Sequence, residues 1–175
     1  MQSTPEAMME LSTPVDVLNY ALTLEHLEYA FYRDGLATYG ADAFAAGGYA
    51  ENVFTYFEKI RDDEMAHVDT ITQVITDLGG EPVAEAMYDF GYSDLEGFIG
   101  VAKALENTGV SAYDGAGQYI DDPDLLTAAG SIVAVEARHA SYLNLLNGML
   151  PFPDAFEKPL TKDEVLAIAG PFIKM

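Results

Sequence analysis

Glu25 and Glu106 each fall on the apolar stripe of a helical segment, where an ionised carboxylate is costly to bury unless it is paired or bound to metal. A chain that puts charge on its own buried faces folds only if something in the core neutralises it. Two of the three histidines, His67 and His139, follow a glutamate by three residues, in EMAH and EARH, whereas His26 does not. With 14 glutamates in 175 residues, two such coincidences arise by chance about one time in fifty. An i, i+3 pair lies on one helix face, so Glu64 with His67 and Glu136 with His139 each present a carboxylate oxygen and an imidazole nitrogen to one place. The pattern repeats within the chain: Leu24-Glu25 has Tyr32 seven residues beyond the glutamate, and Leu105-Glu106 has Tyr113 at the same distance. Each half therefore reads glutamate, then Glu-x-x-His.

Helix signals frame these residues. Thr13 as N-cap with Pro14 in the first turn opens a first helix, whose stripe of Leu18, Leu22, Tyr29 and Tyr32 fades between Gly35 and Gly40. After a turn through Gly47-Gly48, a second helix runs from Phe54 to Leu78 and is stopped by Gly79-Gly80. Residues 81–92 lack periodicity and read as a connection that crosses the bundle from end to end, so that helices two and three run parallel. Ser93-Asp94-Leu95-Glu96 is a capping-box pattern opening helix three, and Asp122-Pro123 opens helix four, which ends at Gly148. Helix three carries Gly97, Gly100, Gly109, Gly115 and Gly117, each a cost of ~1 kcal/mol relative to Ala, which predicts close packing against a neighbour. Thr161-Lys162-Asp163-Glu164 opens a short final helix that Gly170-Pro171 ends. No β pattern of useful length is present. The expected class is all-α: a four-helix bundle over residues 1–148, with a long crossover between helices two and three. Residues 149–175 form a tail with a short helix packed on the same domain.

Position along the helices brings the six polar residues to one level. Glu25 lies about eleven residues into its helix, Glu106 about thirteen, and the two Glu-x-x-His pairs about fifteen, which at ~1.5 Å per residue puts them all ~16–25 Å along. Four carboxylates against two divalent cations leave a neutral buried site when the histidines are neutral. The chain has no cysteine, so oxygen and nitrogen donors are all it can offer a metal. Its formal charge of −21, from 29 acidic and 8 basic residues, repels nucleic acid and anionic membranes, and half of its residues are hydrophobic, which argues against disorder. The opening MQSTPEAMMELST has neither a basic start nor an apolar run, and no segment approaches ~20 apolar residues. The expectation is a soluble chain, cytoplasmic as it stands, with an exported mature form as the alternative.

A lone glutamate from each of two helices with Glu-x-x-His from the other two is the arrangement of di-iron and di-manganese bundle proteins. Over residues 14 to about 147 the sequence resembles the ferritin-like superfamily. More narrowly, LNYALTLEHLEYAFYRDGL and the tail PFPDAFEKPLTKDEVLAIAGPFI are similar to the ferritin-like group that includes desiccation-related proteins. The resemblance implies Glu25 and Glu106 as lone metal ligands, Glu64 with His67 and Glu136 with His139 as paired ligands, and Glu64 and Glu136 as bridges. It implies two iron ions, alternatively manganese or a mixed pair, and an oxidoreductase of ferroxidase or peroxidase and catalase type acting on dioxygen or hydrogen peroxide in oxidative or desiccation stress. Tyr32 and Tyr113 would contact the carboxylates or supply electrons, and a homodimer is the expected oligomer. The alternatives are iron storage in a closed shell and a stress-protective bundle that metal merely stabilises.

Several residues stay open. Glu28 competes with Glu25 as the ligand of the first helix, or joins it. His26 points ~100° away from Glu25 on a helix, which favours a surface or interhelical hydrogen bond. Asp63 either holds the outer nitrogen of a facing histidine or is exposed, and helix four has Val135 at the matching place. Arg33 and Arg138 are expected in surface salt bridges.

Overall fold

A computed structural model describes residues 11–174. Residues 1–10, which the expected bundle boundary includes, and Met175 lie outside the described residues. Six α-helices are present among the described residues: α1 Pro14–Thr38, α2 Ala41–Ala46, α3 Glu51–Asp77, α4 Leu95–Ala116, α5 Pro123–Leu146 and α6 Lys162–Ala169. The bundle is made of α1, α3, α4 and α5. No helix among the described residues is long and apolar enough to cross a membrane.

The caps explain where the helices start. Thr13 and Asp16 form a reciprocal capping box on α1, and Thr161 with Glu164 does the same for α6. Asp122 accepts from the first turn of α5, ahead of Pro123. On α4 the cap is Asp94, which accepts from Gly97, one residue later than the Ser93 pattern predicts, because Leu95 already has helical geometry. The first helix continues past Gly35, since that glycine lets the Phe98 ring lie against its backbone. The following α2 is a single short helix that buries Phe44 against α3 and has too few residues to show a period.

Contacts fix the directions of the helices. The beginning of α1 meets the end of α3, where Gly80 packs on Val15, so these two run antiparallel. The crossover then follows α1 along its length: Asn19 holds the Glu81 carbonyl and the Val83 N–H, His26 meets the Val83 carbonyl at 3.1 Å, Arg33 pairs with Glu85 at 3.0 Å, and Phe31 packs edge-on against Phe90. It delivers the chain to the far end of α1, where Phe98 of α4 stacks on Phe31 and also packs against Phe57 near the start of α3. Thus α3 and α4 are parallel. Helix α5 returns antiparallel to α4, with Asn107 and Asn144 exchanging amide hydrogen bonds at 3.0 and 3.1 Å and Asn147 reaching the Ile99 carbonyl. Helix α1 packs along α3, α4 along α5, and α1 on α4 joins the pairs, while α3 and α5 meet more sparsely. Covered by α3, α4 and the crossover, α1 is buried nearly all round, which is why its apolar pattern is less one-sided than that of α3.

A strand pairing absent from the sequence expectation joins the two irregular segments. Met87–Tyr88 of the crossover pairs antiparallel with Ile173–Lys174, Met87 opposite Lys174 and Tyr88 opposite Ile173. Two residues per strand are too few to show alternation, so only the tertiary path creates the pairing. The tail reaches that point across α4: the Leu160 N–H donates to the Ser111 carbonyl, the Ser111 hydroxyl donates to Glu157, and Val165 and Ala169 of α6 are buried. Close approach explains some of the α4 glycines and not others. A Cβ on Gly115 would overlap the Leu160 carbonyl, whereas one on Gly100 would meet nothing within 4 Å. Gly115→Ala is therefore expected to destabilise by about 1–3 kcal/mol through overpacking. Gly100→Ala is expected to stabilise by up to ~1 kcal/mol through helix propensity. Thermal melts of the two variants read the difference, and shifts of the same sign would contradict this account.

Candidate metal centre

Local sequence puts one functional face on each bundle helix. Glu25 and Glu28 share a face of α1, Glu64 and His67 a face of α3, and Glu136 and His139 a face of α5, each by i, i+3 spacing, with Glu106 on the core face of α4. All seven are buried, Glu25, Glu64, Glu106 and Glu136 completely. The structure brings the six residues singled out from sequence into two overlapping groups. Glu25, Glu64, His67 and Glu136 form one, and Glu64, Glu106, Glu136 and His139 the other, with ligand atoms in each group within 4.8 Å of one another. Glu64 and Glu136 belong to both.

The distances are those of atoms arranged around shared points. His67 Nδ1 lies 3.2 Å from Glu25 Oε2, 3.0 Å from Glu64 Oε2 and 3.1 Å from Glu136 Oε1. A ring nitrogen carries at most one hydrogen, so it cannot satisfy three oxygens. His139 Nδ1 lies 3.0 Å from Glu64 Oε1 and 3.3 Å from Glu106 Oε2, yet neither contact has hydrogen-bond angles. Glu64 thus turns one oxygen to each histidine. The buried atoms left without a hydrogen-bond partner include Glu64 Oε1, Glu106 Oε2, both Glu136 oxygens and His139 Nδ1. Buried polar atoms are rarely orphaned, and about 3 Å is the separation that neighbouring donors have when each lies ~2.1 Å from one ion. The donor set fits a pair of metal ions, and the buried Glu/His cluster is compatible with dinuclear metal binding.

Outside this cluster the remaining oxygens are held. Tyr32 on α1 donates to Glu106 on α4 at 2.6 Å, and Tyr113 on α4 donates to Glu25 on α1. The tyrosine repeat is therefore an exchange across the α1–α4 interface, each helix fixing the other's carboxylate. Burial and the neighbouring carboxylates push both phenols well above their ordinary range and keep them as donors. Asp63 meets His139 Nε2 at 3.3 Å and also pairs with Lys59, while Val135 leaves the opposite side without an equivalent. Such an outer contact orients a histidine so that its inner nitrogen faces the ligand position. His26 faces away, onto the crossover. Arg33 is in the expected surface ion pairs, with Asp34 and Glu85. Arg138 is not: it has no ion-pair partner among the described residues, because its turn of α5 faces α3 and the tail across a cleft instead of an acidic helix face.

Glu28 joins Glu25 in the core. A Cβ on Gly109 would sit 2.9 Å from Glu28 Oε1 and 3.3 Å from Glu136 Oε2. Gly109 follows Glu106 by three residues, as Glu28 follows Glu25, so one half of the repeat supplies a carboxylate and the other the space it fills. Aligning the two halves one turn further would have exposed this pairing. With Glu28 the cluster holds five buried carboxylates.

Burial and mutual repulsion decide the protonation of Glu28, Glu64 and Glu136. Burial, then the charges of Glu136, Glu106, Glu64 and Glu25, drives Glu28 well above the carboxylate range, and burial with Glu64 and Glu106 does the same to Glu136. Glu64 is pushed up to about 7 by burial and Glu106, against the hydrogen bonds of His139 and His67. For the histidines burial works the other way, but the facing carboxylates outweigh it and raise His67 to about 12 and His139 to about 11.

These features are those of a carboxylate-rich helical bundle. A family model described as a ferritin-like domain matches residues 13–149, and the chain belongs to that family. Protein rds1 of Schizosaccharomyces pombe is 23% identical over 156 residues, which is 89% of this chain and 38% of that protein, so the chain spans little more than a third of this relative's length. A solved structure described as a ferritin-like, diiron-carboxylate protein from Bacillus anthracis superposes with a TM-score of 0.66 at 20% identity, covering 76% of this chain and 94% of the other, and shares the fold.

A group whose folded pKa exceeds its unfolded value stabilises fully below the unfolded value and loses that contribution as pH rises through the folded one. Metal-free protein should therefore melt at progressively lower temperature as pH rises from 4.5 through about 7, the range set by Glu64, with the histidines extending the loss upward from 6.5. Metal competes with protons, so the gain in melting temperature from added metal should grow over the same range. Circular dichroism melts with and without metal measure both trends. A metal-free melting temperature that rises across that range would contradict the protonation pattern.

Proposed function

We propose that the chain holds two iron ions, with manganese or a mixed pair as alternatives, and is an oxidoreductase that reduces dioxygen or hydrogen peroxide. The observation that carries this reading is the sharing of Glu64 and Glu136 between two histidine-bearing groups, with oxygens of both left unpaired. Glu25 with His67 would complete one position and Glu106 with His139 the other. Carboxylate and imidazole donors suit these metals, which when bound supply electrons singly by passing between the +2 and +3 states. The diiron-carboxylate description of the Bacillus anthracis structure supports the choice of iron.

The chain's own residues define the rest of the chemistry. Glu64 and Glu136 hold the two positions together, and Asp63 keeps His139 turned so that Nδ1 faces inward. Tyr32 and Tyr113 fix Glu106 and Glu25 and would each supply one electron, the hydroxyl proton moving to the carboxylate oxygen it already touches and an external reductant returning the electron and proton to the phenoxyl radical. Five carboxylates exceed the charge of two +2 ions by one and equal that of a +2/+3 pair. Glu28, alone among the five in pairing with neither histidine, would hold the compensating proton in the more reduced state. A protective role against oxidants, as in the desiccation-related group the sequence resembles, follows from the same reaction.

Protein loaded anaerobically with Fe²⁺ is expected to bind two equivalents by elemental analysis, and on exposure to air to consume dioxygen while near-ultraviolet ferric absorption grows. Glu64→Ala and His67→Ala should each lose at least one equivalent and the absorption change. Protein that takes up metal and gains melting temperature, yet consumes neither dioxygen nor peroxide, would instead be a bundle that metal stabilises without turnover.

A further inference from the structure

The sparse α3–α5 side of the bundle opens into a cleft of about 390 Å³ directly outside His139. Its walls include Tyr56 and Ile60 from α3 and Val135, Arg138 and Tyr142 from α5, with His139 at the floor. Three features distinguish it from an ordinary surface groove. Arg138 is a guanidinium without an ion-pair partner among the described residues of a chain of charge −21, where the other two arginines are paired with acids. The hydroxyl of Tyr142 is shielded from water and has no hydrogen-bond partner. The rings of Tyr56 and Tyr142 pack edge to face, centroids 5.4 Å apart, leaving an aromatic wall beside aliphatic Ile60 and Val135.

We infer that this cleft is a binding site for a small aromatic carboxylate. A free guanidinium is matched best by a planar carboxylate that can accept two parallel hydrogen bonds. The Tyr56–Tyr142 wall takes a ring in stacked or edge-on contact, and the Tyr142 hydroxyl, shielded and unpartnered where it lies, gains a partner by turning toward the bound carboxylate. The volume is that of a site for a small molecule, within the ~300–1,000 Å³ common for such pockets. Charge selects among anions: the field of the whole chain opposes multiply charged ligands, and the apolar walls give a bare inorganic anion nothing to replace its water. Lys59 and Asp63, the other charged groups lining the cleft beside His139, pair with each other and offset one another's charge, which leaves Arg138 as the recognising charge. Arg138 and Tyr142 also border a larger hollow of about 680 Å³ beneath residues 151–158, so a molecule longer than one ring has room to extend under the tail. The site is separate from the metal ligands except for the outer edge of His139, and its occupancy does not depend on turnover.

The test is calorimetric or NMR titration of the full chain with benzoate, before and after metal removal. Benzoate should bind in both states, and at least about tenfold more tightly than acetate, because the ring adds apolar burial. Arg138→Gln should weaken benzoate about tenfold or more, Tyr142→Phe by about threefold, and Arg33→Gln not at all, which separates a specific guanidinium from the general field. Arg138 is exposed, so its variant is expected to melt as the parent does, and a matched melt keeps the comparison valid. Equal binding by the Arg138→Gln variant, or acetate binding as tightly as benzoate, would overturn the inference. So would benzoate binding that disappears on metal removal and ignores Arg138, since the carboxylate would then sit on the metals.

Discussion

Five carboxylates packed around two imidazoles at mid-height of the bundle set the terms for the rest of the structure. Burying one ionised carboxylate without a partner is already prohibitive, and five facing one another repel as well. The bundle supports the cluster with what it can offer from four helices. The two histidines turn Nδ1 inward, two tyrosines tie down Glu25 and Glu106, and Gly109 withdraws a side chain so that Glu28 fits. What these groups leave unsatisfied are the oxygens of Glu64, Glu106 and Glu136 that point toward a common centre, where protons and cations compete to neutralise the charge.

The two halves of the chain are related in pattern and unequal in detail, and the inequality falls at the cluster and its surroundings. Where one half has Glu28 the other has Gly109, so the cluster is more acidic on the α1 side. Where α3 has Asp63 against the outer nitrogen of His139, α5 has Val135, which lines the cleft instead. The His139 side therefore has the outer carboxylate contact that the His67 side lacks, and it borders the cleft. The same loosening between α3 and α5 that opens this cleft is the counterpart of the tight α1–α4 contact, where the tyrosine exchange demands close approach.

Connections that look incidental in the sequence hold the bundle in register. The crossover lies along α1 through Asn19, His26, Arg33 and Phe31, and thereby fixes α3 and α4 as parallel. The tail lies over α4, with Leu160 against Gly115, and its last residues pair with the crossover. His26, one of three histidines and adjacent to a buried glutamate, serves this scaffold and not the cluster, because a helix turns consecutive residues ~100° apart.

By itself the sequence determined the four long helices and the short final one, most of their caps, the parallel crossover and six of the seven acidic and imidazole side chains from which the centre is assembled. Period, capping chemistry and i, i+3 spacing are local properties, and a helix converts them directly into faces. Tertiary structure alone decided that Glu28 joins the cluster, that each tyrosine reaches across to the other helix's glutamate, that Arg138 has no ion-pair partner among the described residues, and that Met87–Tyr88 pairs with Ile173–Lys174. Each of these depends on which residues from distant segments come within a few ångströms, and that is set by helix packing and the path of the connections. The repeat hinted at the tyrosines and carried the space for Glu28 in Gly109, but only the approach of α1 to α4 shows that the glycine and the glutamate occupy one place.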